Sequence, residues 1–293
     1  MKERIYSIKD LEVLSGIKAH TIRIWEKRYN LLEPDRTDTN IRMYTDNDLR
    51  KLLNVAFLVN HGYKISRVCS WDEKKITEAI IGHQQKNPDV QTYLERLVVH
   101  MINFDGGAFH RLTDDIISEY GFDEATRRVF FPFFEKIGIF WQVGSIFPAQ
   151  EHFISNLFRE KIIVEIDKLG NGLPDTNIML FFLHEDEMHE LSLLYYSYLA
   201  KRNGIQVYYL GQNVPMSDLK RMADMDKIGS VFTAFINSIE KEELENYLQE
   251  LGAIFRNKKV FISGLQLKLH NPAIPAGFSV IVDYQDFERM LMG

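Results

Sequence analysis

The sequence predicts a multidomain protein of α and α/β class: a winged helix-turn-helix, then a four-helix bundle, then a doubly wound parallel-sheet domain of Rossmann-like type. Three observations predict it. Short helices around a polar, turn-rich insert open the chain; apolar residues recur at three and four from Val90 to about Leu169; and beyond Pro174 short apolar runs alternate with amphipathic helices. The expected boundaries are a first domain at 1–72, a linker at 73–89, the bundle at 90–172 and the sheet domain at 173–293.

A chain of 293 residues has material for two or three cores, and 45% apolar with 26% charged residues is the balance of a folded soluble protein. MKERIYSIKD carries charges where a signal peptide needs an apolar core, and no apolar run approaches the roughly 20 residues that span a bilayer. A cytoplasmic protein with no membrane partner is expected. Cys69 is the only cysteine, which excludes an intramolecular disulfide and a cysteine-based metal cluster. Net charge is −6, yet residues 1–71 hold 13 Lys and Arg against 9 Asp and Glu, a local +4 that leaves −10 for the remainder. The positive excess therefore sits where a phosphate-binding surface would use it.

In the first domain Ser7 can cap a helix that presents Leu11 and Leu14 inward and ends at Gly16. The next helix, Ala19–Tyr29, places Ile22, Trp25 and Tyr29 on one face, with Arg23 and Lys27 one turn apart on another. A second helix after a tight turn, carrying cations outward, suits the major groove, which admits one helix between phosphate flanks. Leu31 to Tyr44 reads as a hairpin wing whose Arg36 and Arg42 reach the backbone, and Thr45-Asp46-Asn47-Asp48 caps a helix with Leu49, Leu52 and Leu53. Read from the residues alone, the alternative is a small helical adaptor whose arginines are merely solvated.

Tyr6-Ser7-Ile8, Thr21-Ile22-Arg23-Ile24-Trp25-Glu26-Lys27-Arg28-Tyr29 and Arg42-Met43-Tyr44 before a capped helix together resemble the MerR family of regulators. That resemblance implies a homodimer or higher homo-oligomer on double-stranded, pseudo-palindromic promoter DNA. The implied DNA-binding set is Arg23, Lys27, Arg28, Tyr29, Arg36, Arg42 and Tyr44. Asp38-Thr39-Asn40 stands where many relatives carry glycine.

The segment Asp72 to Asp89, with Gln84-Gln85-Lys86-Asn87-Pro88, reads as a linker with a short helix at its start. Beyond it Leu94, Leu97, Val98 and Met101, then Phe109, Leu112, Ile116 and Ile117, keep helical spacing; further helices fit 123–142 and 148–168. Trp141 near the end of one helix and Glu151-His152 at the start of the next face one space across their loop, as the lid of a pocket would. The plainer reading makes Trp141 a core residue and Glu151-His152 a surface pair.

After Gly170-Asn171-Gly172-Leu173-Pro174, apolar runs at 178–183, 205–210, 230–235, 260–262 and 279–282 alternate with helices at about 187–202, 216–226, 239–251 and 284–292. Glu187-Met188-His189-Glu190-Leu191-Ser192 lies at the mouth of the first of these helices.

Pro132, Gly138, Trp141, Gly144 and Glu151-His152, followed by Glu187-x-His189, resemble the cap bundle and sheet domain of cobalamin-binding regulators and of corrinoid methyltransferase components. The resemblance implies cobalamin, in adenosyl or methyl form, as cofactor. It makes His189 the cobalt ligand from below, with Glu187 orienting it, which suits imidazole chemistry and its usual carboxylate partner. Trp141, Glu151 and His152 would cover the upper face; Thr233, and Ser263-Gly264 in place of Gly-Gly, would line the nucleotide tail; and Ser192 replaces a glycine of the loop. Gln142 stands where several photosensing members carry histidine. His184 is an alternative ligand nearer the strand end. Three readings follow: a cobalamin-responsive regulator, with light as a candidate signal, in which cofactor held between bundle and sheet selects one oligomer; a regulator whose sensory region has lost the cofactor and serves protein interaction; and a corrinoid carrier in methyl transfer. No catalytic constellation or phosphate loop stands out, and no enzyme is expected.

Overall fold

The computed structural model describes residues 5–37, 40–84, 89–142, 145–170 and 178–292. Asp38 and Thr39 of the wing, residues 85–88 of the expected linker, Gly144 and the turn residues 171–174 lie outside the described residues, as does the side chain of Gln142. The chain divides into two compact units, Met1–Leu157 and Phe158–Gly293.

Unit 1 begins with α1 (Ile8–Ser15), α2 (Ala19–Tyr29), a hairpin of β1 (Asp35–Arg36) and β2 (Arg42–Met43), and α3 (Asp46–Asn60). Local chemistry fixes both helix starts. Ser7 accepts from the Asp10 N–H while the Asp10 carboxylate accepts from the Ser7 N–H, and Thr45 and Asp48 repeat the arrangement at α3. Gly16 ends α1 at φ +73°, a left-handed turn that glycine adopts without steric penalty. The short α4 (Ile65–Val68) follows.

The helix expected at the start of the linker is present and runs to Gln84. Residues Glu73–Gln84 form α5, which packs on α3 and buries Ile76, since Ile76 and Ile80 recur one turn apart. The bundle helices are α6 (Val90–Ile102), α7 (Gly106–Tyr120), α8 (Phe122–Ala125), α9 (Phe131–Gln142) and α10 (Pro148–Lys168). Between α8 and α9 a π-helical turn spans Thr126–Phe130. Pro132 cannot donate to Arg128 and its ring crowds that carbonyl, so a widened turn accommodates it.

The compact unit Met1–Leu157 includes both the expected first domain and most of the bundle. His61 Nε2 lies 2.9 Å from Thr92 Oγ1, and Ser145 Oγ donates to Asp10 Oδ1 at 3.1 Å. The division falls within α10, whose later residues belong with the sheet: Arg159 Nε meets Glu190 Oε2 at 2.6 Å.

Unit 2 alternates β3 (Ile178–His184), α11 (Glu190–Arg202), β4 (Val207–Val214), α12 (Met216–Ala223), β5 (Ile228–Ala234), α13 (Lys241–Ile254), β6 (Lys259–Ser263), α14 (Leu265–His270), β7 (Phe278–Val280) and α15 (Tyr284–Met292). All strands run parallel in the order β4-β3-β5-β6-β7. Every residue of β3 is buried, as a strand covered on both faces requires. Leu180 and Phe182 face a core with Leu219, Leu244 and Leu248; the intervening Phe181 stacks on Phe232 at 5.3 Å, beside Tyr196 and Phe287. The short α14 was not anticipated; Leu265 and Leu269 are exposed, so it leaves little periodic signal.

The strand order reverses between β3 and β5. In open α/β sheets ligands bind in the crevice beyond the carboxyl ends of the strands at such a point.

Candidate cofactor site and nucleic-acid interface

The exposed face of α2 carries His20, Arg23, Ile24, Lys27 and Arg28, while Ile22 and Trp25 are buried. Spacing alone identifies His20 and Ile24 with the basic residues, although neither was singled out. Ile24 is 53% exposed, an apolar group among cations of the kind that meets a thymine methyl. Arg28 lies over the Tyr29 ring at 5.5 Å. On the wing Arg36 is exposed and donates to Asn40 Oδ1 at 2.6 Å, which holds it along the hairpin.

Two expected DNA contacts sit differently. Tyr44 is fully buried, bridges to Tyr6 through its backbone and donates its hydroxyl to Glu26, so it cannot reach a phosphate. Burial and the Glu26 carboxylate both push its phenol upward. Arg42 is half-buried, with Nε 3.0 Å from the other Glu26 oxygen. Glu26 therefore ties the second helix to the wing. Glu26→Ala is expected to destabilise unit 1 by about 3 kcal/mol, because it strands a buried hydroxyl and an unpaired guanidinium. Urea unfolding checks this, and an unchanged midpoint would refute it.

In unit 2 the loop after β3 delivers Glu187 and His189 to the switch point. Glu187 is fully buried. Its Oε1 accepts from the His189 backbone N–H at 2.9 Å and lies 2.7 Å from His189 Nδ1; its Oε2 accepts from the backbone N–H of Ile236 and Asn237 at 2.9 and 2.6 Å. Burial alone would raise this carboxyl, but the donors from His189, Asn237 and Ile236 hold it down to about 2. The carboxylate thus stays ionised and fixes the ring. With Nδ1 engaged, Nε2 carries the lone pair of the neutral imidazole, on a side chain that is 57% exposed.

Further bonds shape the loop: Gln212 Nε2 donates to the Met188 carbonyl at 2.6 Å, and Asp186, at φ +66°, donates its N–H to Asn213 Oδ1 at 3.1 Å. Glu190, 7% exposed, takes Arg159 and the Tyr209 hydroxyl, the latter at 2.9 Å. These supports come from other strands and helices, so nothing local in the sequence marks them. Because the folded value of Glu187 lies below the ordinary 4.5, its stabilisation is fully present above about pH 4.5 and is lost as pH falls towards 2. An acid titration of unfolding should be flatter over that window in Glu187→Gln than in the parent; equal slopes would contradict the assignment.

His184, the alternative ligand, is buried, and its Nε2 has no hydrogen-bond partner among the described residues. Its ring stacks on Phe235 at 5.2 Å and lies 5.5 Å from Tyr247, and Nδ1 is 2.6 Å from the Glu185 carbonyl. Residues expected at the nucleotide tail gather at the carboxyl end of the sheet. Thr233 Oγ1 and Ser192 Oγ are buried with no hydrogen-bond partner among the described residues, which fits a ligand that brings polar atoms to them. Ser263 Oγ donates to the Ile281 carbonyl at 2.9 Å, so that serine is satisfied within the fold. Gly264 keeps the close approach: at φ +118°, an added Cβ would lie 2.1 Å from the Phe235 carbonyl oxygen.

In unit 1 Trp141 is 57% exposed, contrary to the core reading. His152 Nδ1 lies 2.9 Å from Glu151 Oε2, and Ser155 donates to Oε1 at 2.5 Å. Helix ends place these three polar and aromatic groups at the surface.

Among the described residues no helix is long and apolar enough to cross a membrane. Residues 6–70 match the MerR HTH family regulatory protein, and residues 93–164 match the B12 binding domain. The HTH-type transcriptional repressor CarH of Myxococcus xanthus is 27% identical over 277 residues, 92% of this chain and 92% of that protein. CarA of the same organism is 23% identical over 287 residues, 97% of this chain and 94% of its own length. The structure of the monomethylamine corrinoid protein of Methanosarcina barkeri matches with TM-score 0.55 at 12% identity, covering 69% of this chain and 98% of that one, a likeness of fold. The relatives matched over more than nine-tenths of the chain are repressors rather than enzymes, and the chain joins a MerR-type helix-turn-helix segment to a B12 binding domain.

Proposed function

We propose that the protein binds double-stranded promoter DNA as a homodimer or higher homo-oligomer and changes its DNA affinity or oligomeric state when it takes up cobalamin. On the DNA side, Arg23, Lys27 and Arg28 of α2 enter the major groove with Ile24, and Arg36 holds phosphate from the wing; Tyr29 steadies Arg28, and Arg42 and Tyr44 position the wing through Glu26. On the sensory side, His189 is the cobalt ligand and Glu187 its orienting partner, while Ser192, Thr233, Ser263 and Gly264 accommodate the nucleotide tail. Trp141, Glu151 and His152 are cofactor contacts on the helical unit.

One observation carries this reading: a solvent-accessible imidazole fastened at Nδ1 to a carboxylate that is itself held by two backbone N–H groups, at the sheet's switch point. Cobalamin, when bound, would supply a cobalt centre that accepts an imidazole nitrogen and, in its adenosyl or methyl form, a cobalt–carbon bond that light can break. The chain's own part is to hold the His189 ring by Nδ1 on Glu187, which leaves Nε2 as the nitrogen available to cobalt. The test is the absorbance spectrum of protein purified from cells fed cobalamin, before and after illumination. Corrinoid bands in the purified protein are expected, with a spectral change on illumination if light is the signal. Absence of corrinoid absorbance would remove the cofactor from the account and leave a regulator whose sensory region binds protein.

A further inference from the structure

Unit 1 contains a cavity of about 590 Å³ that the cobalamin reading does not use. Its walls come from α1 and α3 on the DNA-binding side and from α6, α7 and α9 of the bundle. The volume lies within the ordinary range for small-molecule sites. Its floor is apolar, with Leu53, Phe57 and Leu112 all buried.

The charges around that floor are unusual. Arg96, Arg111 and Lys136 line the cavity, and among the described residues none of them forms an ion pair. Burial lowers both the Arg96 and the Lys136 pKa, with Asp115 and Glu95 respectively restoring part of the loss. Glu95 accepts from Gln91 at 2.9 Å and from Asn60 at 3.4 Å through Oε1, but its Oε2 is buried with no hydrogen-bond partner among the described residues. His100 is pushed down to about 4, first by burial and then by Arg96, so it is neutral at pH 7. Three cations against Glu95 and Asp115 leave one positive charge, and donors far outnumber acceptors. Arg96 and Lys136 are half-buried and Arg111 is exposed at the rim, and a surplus cation beside an apolar floor is matched by a ligand with a single negative charge and an apolar body.

We propose that this cavity binds a small amphipathic carboxylate, its apolar body against Leu53, Phe57 and Leu112 and its head on Arg96 and Arg111, with Lys136 answering Glu95. Such a ligand touches the helix that follows the wing and three bundle helices at once. The cavity is therefore a second effector site, distinct from the His189 loop in residues and in ligand chemistry.

The test uses the full chain and anilinonaphthalene sulfonate as a fluorescent reporter, displaced by decanoate, decanol or decylammonium. Saturable binding of one reporter per chain is expected, with decanoate displacing it at about tenfold lower concentration than decanol, the ratio expected from one charge-assisted contact. Arg96→Gln should erase that preference while leaving decanol unchanged. Asp115→Asn, at an exposed position, should tighten decanoate by about threefold and remains informative if Arg96→Gln does not fold. Decanol competing as well as decanoate, decylammonium binding most tightly, a reporter that never saturates, or decanoate affinity unmoved in Asp115→Asn would each overturn the proposal.

Discussion

His189→Ala is expected to lower the affinity for cobalamin by at least about a hundredfold, because removing merely an outer-shell partner of a metal ligand costs about 10–100-fold. The variant should fold. The His189 side chain is 57% exposed, its backbone N–H still donates to Glu187, and Ile236 and Asn237 still hold the other carboxylate oxygen. Loss of the imidazole therefore removes a ligand without stranding the buried charge. Spectral titration of the purified variant with cobalamin checks this, with the unfolding midpoint as control. Parental affinity at an unchanged midpoint would show that cobalt is not held from His189.

Gly264→Ala carries the largest expected effect on stability. The new methyl carbon would sit 2.1 Å from the Phe235 carbonyl oxygen and 2.6 Å from that residue's nitrogen, all backbone, at φ +118°. No rotamer can relieve a Cβ contact. The same carbonyl also accepts from the Gln266 N–H at 3.1 Å, and the Phe235 N–H donates to the Ser263 carbonyl at 2.9 Å, so the two segments cannot simply separate. Destabilisation beyond about 4 kcal/mol, or failure to fold, is expected. Gly138→Ala is the matched control: an added Cβ there meets nothing within 4 Å, and in the middle of α9 it should stabilise by up to about 1 kcal/mol. Similar unfolding midpoints for Gly264→Ala and the parent would contradict the reading of this turn as a glycine-only approach.

What the sequence made legible was what local chemistry decides. The capping residues Ser7 and Thr45, the left-handed stop at Gly16, the helical recurrence through the bundle and the continuous apolar run of β3 all act over a few residues, and each appears where expected. Glu187 and His189, with one residue between them, were legible as a pair through the resemblance of their loop to cobalamin-binding proteins. The donors that make the pair work, Ile236 and Asn237, lie about fifty residues further on and reach Glu187 only through the parallel pairing of β3 with β5. Tyr44 was misplaced for a related reason. A basic wing motif argued that it faces DNA, but two-residue strands show no alternation from which to read a face, and the half-buried Glu26 that captures it lies on α2. The segment 73–84 looked like a linker because its polar residues dominate, although Ile76 and Ile80 sufficed to seat it on α3.

The central claim joins two sites, so its most direct measurement reads one through the other. Thermodynamic linkage requires that any change cobalamin makes in DNA affinity be matched by the change DNA makes in cobalamin affinity. The decisive measurement is therefore DNA affinity, by fluorescence anisotropy on a duplex selected from a random pool by the protein itself, with and without saturating cobalamin, in the parent and in His189→Ala. A shift of about fivefold or more in the parent that disappears in the variant at the same cofactor concentration is predicted. Equal DNA affinities in the parent with and without bound cobalamin would contradict the account.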